Sequence, residues 1–509
     1  MTTLANEKRL PVTIRHVCNY RYHRRSRMIT IGQMPRHCKR FFTPVKSHFH
    51  AGGFNHFWGL VLAIAIGHGA TIERLARLLR GPQTTHRTNH GEFLWRSDWD
   101  ESWVIRQIAL ETIKQLRRQG ASDRRAYLIL DDTQTLKRAK KMQGVGKLYH
   151  HATGTYGRGH TIVKACLHVA GVTIPMGSWL YLKKGDAAKL RLPFCKLTEL
   201  AAMAIRDAEL PDDLDVTVLF DAFYLCPAVT GACAERGWRF IGMGKSNRCF
   251  VPDRGDGTVK KLGKYGQNVL RRDGRVHTIR GLKATHRYRI AERVGSLRGL
   301  GEVKIVFSRR RNERKVIALV TDDRRASARR VVADYLKRWA IELLIKDEKQ
   351  HLGLGDYRCW RYRAVVRHLH LVDAAHACLT HLALKDQPGH GAQGHKTRKQ
   401  PLTLPPISRL KSRMRQVLWQ EVIDDVGQTH PRETSTPPPG KAPGGMRSVS
   451  LSKSDEDYYF LRPHWPRRGR AITRPARPIR ASVAGSGTGS PPTWNRASTS
   501  LAAGEPLDR

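Results

Sequence analysis

Residues 335–349 read YLKRWAIELLIKDEK, and the spacing inside this stretch predicts a helix with one chemically committed face. Tyr335, Arg338, Glu342 and Lys349 stand at i, i+3, i+7 and i+14. At about 100° per residue, these four fall within roughly 60° of one another. A carboxylate is thereby set between two cations and a phenol, as suits a metal-holding acid beside groups that grip phosphate. A solvated charged stripe with i, i+4 pairing is the plainer reading of the same pattern. The apolar spacing predicts that the helix runs over 327–351 and that another follows over 364–384.

Upstream, the chain alternates between strand and helix patterns. Residues 126–130 form a buried apolar run leading into Asp131-Asp132, and 161–169 and 178–182 read as two further strands. Pro193 marks a helix start, with Leu197, Leu200, Ala201 and Ala204 on its apolar face. A strand over 216–220 ends at Asp221; a short helix over 228–236 and a strand over 239–243 follow. This order predicts an α/β fold with the mixed sheet of an RNase H-like core. Residues 246–323 break the alternation with β-type runs at 303–307 and 315–320, so a β-rich insertion is expected there. Asp132 and Asp221 both close buried strands, which would hold each carboxylate rigidly at the sheet edge. Taken singly, each is more often a turn former than a ligand.

The pattern Y-x2-R-x3-E-x6-K, carried by Tyr335, Arg338, Glu342 and Lys349, resembles the signature of a large group of bacterial insertion-sequence transposases of the DDE type. Their acid-Asp-Thr motif is matched by Asp131-Asp132-Thr133, their second acid by Asp221, and the segment 246–323 is similar to their β-rich insertion. Leu352-Gly353-Leu354 and the following helix continue the likeness, which covers about residues 55–385. The resemblance implies that Asp132, Asp221 and Glu342 are catalytic and coordinate two Mg2+ ions, with Mn2+ as a substitute. Asp131 competes with Asp132, and the motif's placement of the ligand directly before Thr favours Asp132. Arg338 and Lys349 would grip phosphates near the transposon end, and Tyr335 would add a hydrogen bond. Some relatives stack a flipped base on a tryptophan of the insertion; this chain has no Trp between Trp238 and Trp339, and nothing selects among Tyr265, Tyr288 and Phe250 as a replacement. The partners implied are transposon-end inverted repeats and target DNA, with a homodimer bridging two ends. Two other readings follow from the same residues: a repurposed DNA-binding protein without catalysis, and a stand-alone nuclease.

Bulk composition agrees with a polyanionic partner. Lys and Arg number 91 against 43 Asp and Glu, a formal net charge of +48. Such a surface repels itself unless an anion such as DNA lies nearby. The nine cysteines form no C-x-x-C pair, which points to a reducing cytoplasm without disulfides; the resemblance implies a nucleoid-associated place within it. Cys18 and Cys38, with His16, His23 and His37, match no usual zinc spacing. The most apolar stretch, 57–66, is shorter than the roughly 20 residues of a membrane helix. Gly244-Lys245-Ser246 does not complete a phosphate-binding loop, because Arg239 stands where its first glycine belongs. Lys245 is expected instead to face DNA from a strand end, and Trp339 to pack in the core.

Four regions are therefore expected: a basic arm over 1–50, a helical DNA-binding domain over 51–120, the catalytic domain over 121–385, and a tail over 386–509. That tail holds 16 of the 25 prolines and is expected to be disordered.

Overall fold

The computed structural model describes residues 31–80, 85–150, 153–254, 257–282, 284–387 and 401–429. Residues 1–30 of the expected arm and 388–400 and 430–509 of the expected tail lie outside the described residues.

Apolar runs buried on both sides build the central sheet. Its strands are β1 (Arg125–Leu136), β2 (Gly146–His150), β3 (Thr155–Val169), β4 (Val172–Leu180), β5 (Asp215–Phe220) and β6 (Arg239–Gly244). They continue as β7 (Cys249–Pro252), β8 (Lys260–Lys261), β9 (Arg275–Arg280), β10 (Thr285–Leu297), β11 (Gly301–Arg310) and β12 (Ile317–Thr321). All twelve join one sheet in the order β2-β3-β1-β5-β6-β12-β11-β10-β7-β8, with β4 also on β3 and β9 also on β10. The path β4-β3-β1-β5-β6 runs antiparallel between its first three strands and parallel between its last three, consistent with an RNase H-like core. Strands β7–β12 do not stand apart: β12 pairs antiparallel with β6 and carries the sheet onward.

Helices cover both faces. One face packs on α5 (Glu101–Arg118), α7 (Leu197–Arg206), α8 (Pro227–Glu235) and α9 (Leu262–Asp273), which bury Ile113, Leu200, Val229 and Leu270 against Leu128, Leu130, Val218 and Phe220. The other packs on α10 (Ala328–Tyr335) and α11 (Trp339–Asp347), whose Val331, Ile341 and Leu344 meet Tyr127, Ile129, Leu219 and Ile241. A short helix, α6 (Lys184–Lys189), follows β4.

The remaining helices form a third core. It gathers α1 (Arg36–Phe42), α2 (Ala51–Ile66), α3 (Ile72–Ala76), α4 (Arg87–Trp95), the first half of α5, and two later helices, α12 (Tyr362–Lys385) and α13 (Ile407–Thr429). The apolar run 57–66 is the buried centre of this bundle, and among the described residues no helix is long and apolar enough to cross a membrane. Thr71 caps α3, its side chain accepting from Arg74 N–H.

Two expectations need correction. The arm is not all arm, because Phe41, Phe42 and Val45 are fully buried. The tail is not disordered over 401–429. Ile407, Leu410, Met414, Val417 and Leu418 give α13 an apolar stripe in the bundle core. Its buried Lys411 donates to the carbonyls of Ile64, Gly67 and His351. Glu421 ties it to α1 by accepting from Arg36 N–H at 2.8 Å and pairing with His37 at 2.7 Å. The eight described cysteines are all free.

Candidate active site

The carboxyl ends of the parallel strands β1, β5 and β6 bring the acids together. Successive residues of a strand face opposite sides of the sheet, so Asp131 and Asp132 cannot share one. Asp131 follows the parity of Tyr127 and Ile129 and lies on the α10–α11 side. Its Oδ2 accepts from Arg338 Nη1 at 2.9 Å, and its Oδ1 from Asp132 N–H at 2.9 Å. Asp132 follows Leu128 and Leu130 to the other side, where the Tyr224 hydroxyl donates to its Oδ1 at 3.1 Å.

In the parallel ladder Ile129 is level with Leu219, so Asp221 comes level with Asp131 two residues on, with the same parity as Leu219. Asp221 leaves the strand through a turn in which its Oδ1 accepts from Phe223 N–H at 2.8 Å and Tyr224 N–H at 3.3 Å. Burial pushes the Asp131 carboxyl up to about 6; the Asp221 and Asp132 charges add to the rise, and Arg338 opposes it.

The third acid arrives on the predicted helix. Ser327 caps α10, a tighter turn at Leu336–Arg338 links it to α11, and a wider π turn at Glu348–Leu352 ends the run at left-handed Gly353. A Cβ at Gly353 would lie 2.8 Å from Ala70, so the close approach requires glycine. Arg338 also bonds the Glu342 carboxylate one turn on, so a single guanidinium bridges Glu342 and Asp131. Tyr335 stands beside them; burial and the Asp221 and Asp131 charges push its phenol up to about 12, against Arg338. Lys349 lies further along, its Nζ donating to the Gln134 carbonyl at 2.9 Å.

The structure thus brings Asp131, Asp221, Tyr335, Arg338 and Glu342 to one side of the sheet. Asp132, the choice made from the motif, takes the opposite parity and meets Tyr224. Trp339 is a correction: it is half exposed beside Arg338, and Phe223 beside Asp221 is similarly open. Phe250 and Tyr288 are buried, and Tyr265 packs against Phe250 and Phe307, so these three serve the core. Lys245 is exposed just past the end of β6.

Residues 59–294 match the family model described as DDE superfamily endonuclease. The chain is similar to these endonucleases. The match spans Asp131, Asp132 and Asp221 and supports a nuclease or transposase of the DDE type, an enzyme class that acts on DNA and generally depends on divalent metal. Glu342 lies outside the matched segment. No curated protein matches the chain.

Among the described residues, no three His, Cys, Asp or Glu side chains stand together closely enough to hold a metal ion. Arg338 occupies the place of a cation between two of the acids. The donor set nonetheless fits a hard divalent ion, since Asp131, Asp221 and Glu342 offer only carboxylate oxygen.

Proposed function

We propose that this protein is a transposase that cuts DNA at the inverted repeats of a mobile element and joins the ends to a target. The observation that carries the reading is that Arg338 bridges Asp131 and Glu342 while Asp221 stands level with Asp131 on the same face. Carboxylates ~5 Å apart repel by about 3 kcal/mol per pair at an effective dielectric of 20, so they require cations. Two bound Mg2+ or Mn2+ ions would activate the attacking water or 3′-hydroxyl and stabilise the leaving oxygen. Asp131, Asp221 and Glu342 would hold them. Arg338, with phosphate as an alternative anion, would position the scissile strand, helped by Tyr335 and by Lys349 beyond the acids. Two copies would be needed to bridge two ends.

With Mg2+, the purified chain is expected to nick DNA carrying the element's repeats and to join pre-cut ends. Asp221→Ala and Glu342→Ala should abolish both while leaving gel-shift binding intact. Cleavage without joining would leave a stand-alone nuclease. One observation favours a non-catalytic DNA binder instead: Arg338 holds both Asp131 and Glu342 in ion pairs. Tight binding with no strand breakage in Mg2+ or Mn2+ would establish that reading.

The β2–β3 hairpin extends the same face. Tyr149 and Tyr156 are opposed, 42% and 69% exposed, with ring centres 5.3 Å apart. Beside them Lys147 and Arg158 are directly opposed, with Lys147 Nζ 4.7 Å from the centre of the Tyr156 ring. Stacking on such rings is worth about 1–3 kcal/mol per base. The Tyr149→Ala/Tyr156→Ala variant is expected to lose about tenfold or more in affinity for DNA with an unpaired tail, and little for blunt duplex. Fluorescence anisotropy on the two substrates checks this, and equal losses on both would refute it.

A further inference from the structure

Lys164 is a fully buried cation placed across from the first acid. In the antiparallel β1–β3 ladder it is the direct partner of Asp131, and directly opposed residues share a face of the sheet. Their Cβ atoms lie about 5 Å apart, within reach for a four-carbon ammonium arm. The ammonium goes elsewhere. It bonds Asp373 of α12 and stands 2.7 Å from Glu348 of the π turn, while the Ser178 hydroxyl donates to the other Asp373 oxygen at 2.7 Å. Lys164, Ser178, Glu348 and Asp373 are all 0% exposed.

The cluster has two carboxyls for one ammonium, so either acid alone can balance Lys164. Burial, with the Asp373 charge beside it, pushes the Glu348 carboxyl up to about 8 against the pull of Lys164, as expected of a second acid held in reserve. The surplus matters because a released Lys164 faces Asp131, its direct partner across the ladder. Arg338 already touches Asp131, but its side chain is 18% exposed, and a DNA phosphate can draw it away. A buried lysine on Asp131 would have no such competitor.

We propose that Glu348 and Asp373 jointly sequester Lys164, and so keep a permanent ammonium off Asp131 where a divalent cation must bind. These three are positioning residues, and the inference rests on Asp131, Asp221 and Glu342 forming the metal site.

The test is Mn2+ binding to the full chain without DNA, followed by electron paramagnetic resonance. Glu348→Gln and Asp373→Asn, made singly, should leave affinity within about twofold, since one acid remains. The double variant should bind Mn2+ about tenfold or more weakly, and adding Lys164→Met should restore the affinity. A merely structural cluster gives no such rescue. Should the double variant fail to fold, Glu348→Asp/Asp373→Asn keeps one anion in the core but sets it a methylene short. It should weaken binding in the same direction and be rescued by Lys164→Met. Mn2+ binding lost in Asp131→Asn but unchanged in these combined variants overturns the sequestering role alone. Binding that survives Asp131→Asn overturns the metal-site reading, and this inference with it.

Discussion

Asp131→Asn is expected to reduce Mg2+-dependent cleavage by about a thousandfold, whereas Asp132→Asn should leave it within about tenfold. The asymmetry follows from the faces of β1. Asp131 shares a side with Asp221, Arg338 and Glu342, and a unit charge about 4 Å from a cation is worth about 4 kcal/mol at an effective dielectric of 20, or roughly a thousandfold in rate. Asparagine keeps the shape and can still accept from the Asp132 N–H, so the loss reports charge. Asp132 meets the Tyr224 hydroxyl on the far side, and one such hydrogen bond is worth about 1 kcal/mol, less than tenfold. Single-turnover cleavage of DNA carrying the repeats, with binding measured in parallel, separates the two. A severe loss in Asp132→Asn with a mild one in Asp131→Asn would return the first metal ligand to the position directly before Thr133.

That choice was not legible in the sequence, for a physical reason. Strand β1 is buried on both sides, so Ile129 and Leu130 are equally apolar, and alternation gives no sign of which acid faces α11. The folded partners distinguish them: Arg338 and the level of Asp221 for Asp131, Tyr224 for Asp132. The elements around the site were legible, because β3, β5, β6 and the helix bearing Glu342 carry strong periodic patterns and clear ends. Averages misled elsewhere. The stripe from Ile407 to Leu418 was submerged in a Pro/Ser/Arg-rich region, and Phe41 and Phe42 in a basic one. Glu348 went unnoticed because it stands among Lys346, Asp347 and Lys349, a grouping that reads as solvated. The π turn carries it inward instead.

Acid should unfold this chain well before its exposed carboxylates are protonated. Burial holds His90, His160, His168, His368, His376 and His381 neutral, each pushed down to about 4. An unfolded histidine titrates near 6.5, so between pH about 6.5 and 4 the unfolded chain binds more protons at these six positions. Their stabilising contribution is complete above 6.5 and is lost as pH falls toward 4. Each can contribute up to about 1.4 kcal/mol per pH unit, so six together rival the 5–15 kcal/mol that holds a typical domain. The raised carboxyls of Asp131 and Glu348 act in the opposite sense, but they are two against six. Protonation would also find little welcome: His90 Nε2 and the Nδ1 atoms of His368, His376 and His381 are buried without a hydrogen-bond partner. The urea midpoint at pH 5 is therefore expected to fall far below that at pH 7. Replacing His381, which packs against Phe41, by leucine should remove about one proton from the slope. Equal midpoints at the two pH values would mean that these imidazoles find charge-stabilising partners on protonation, and that the helical bundle housing four of them opens without unfolding.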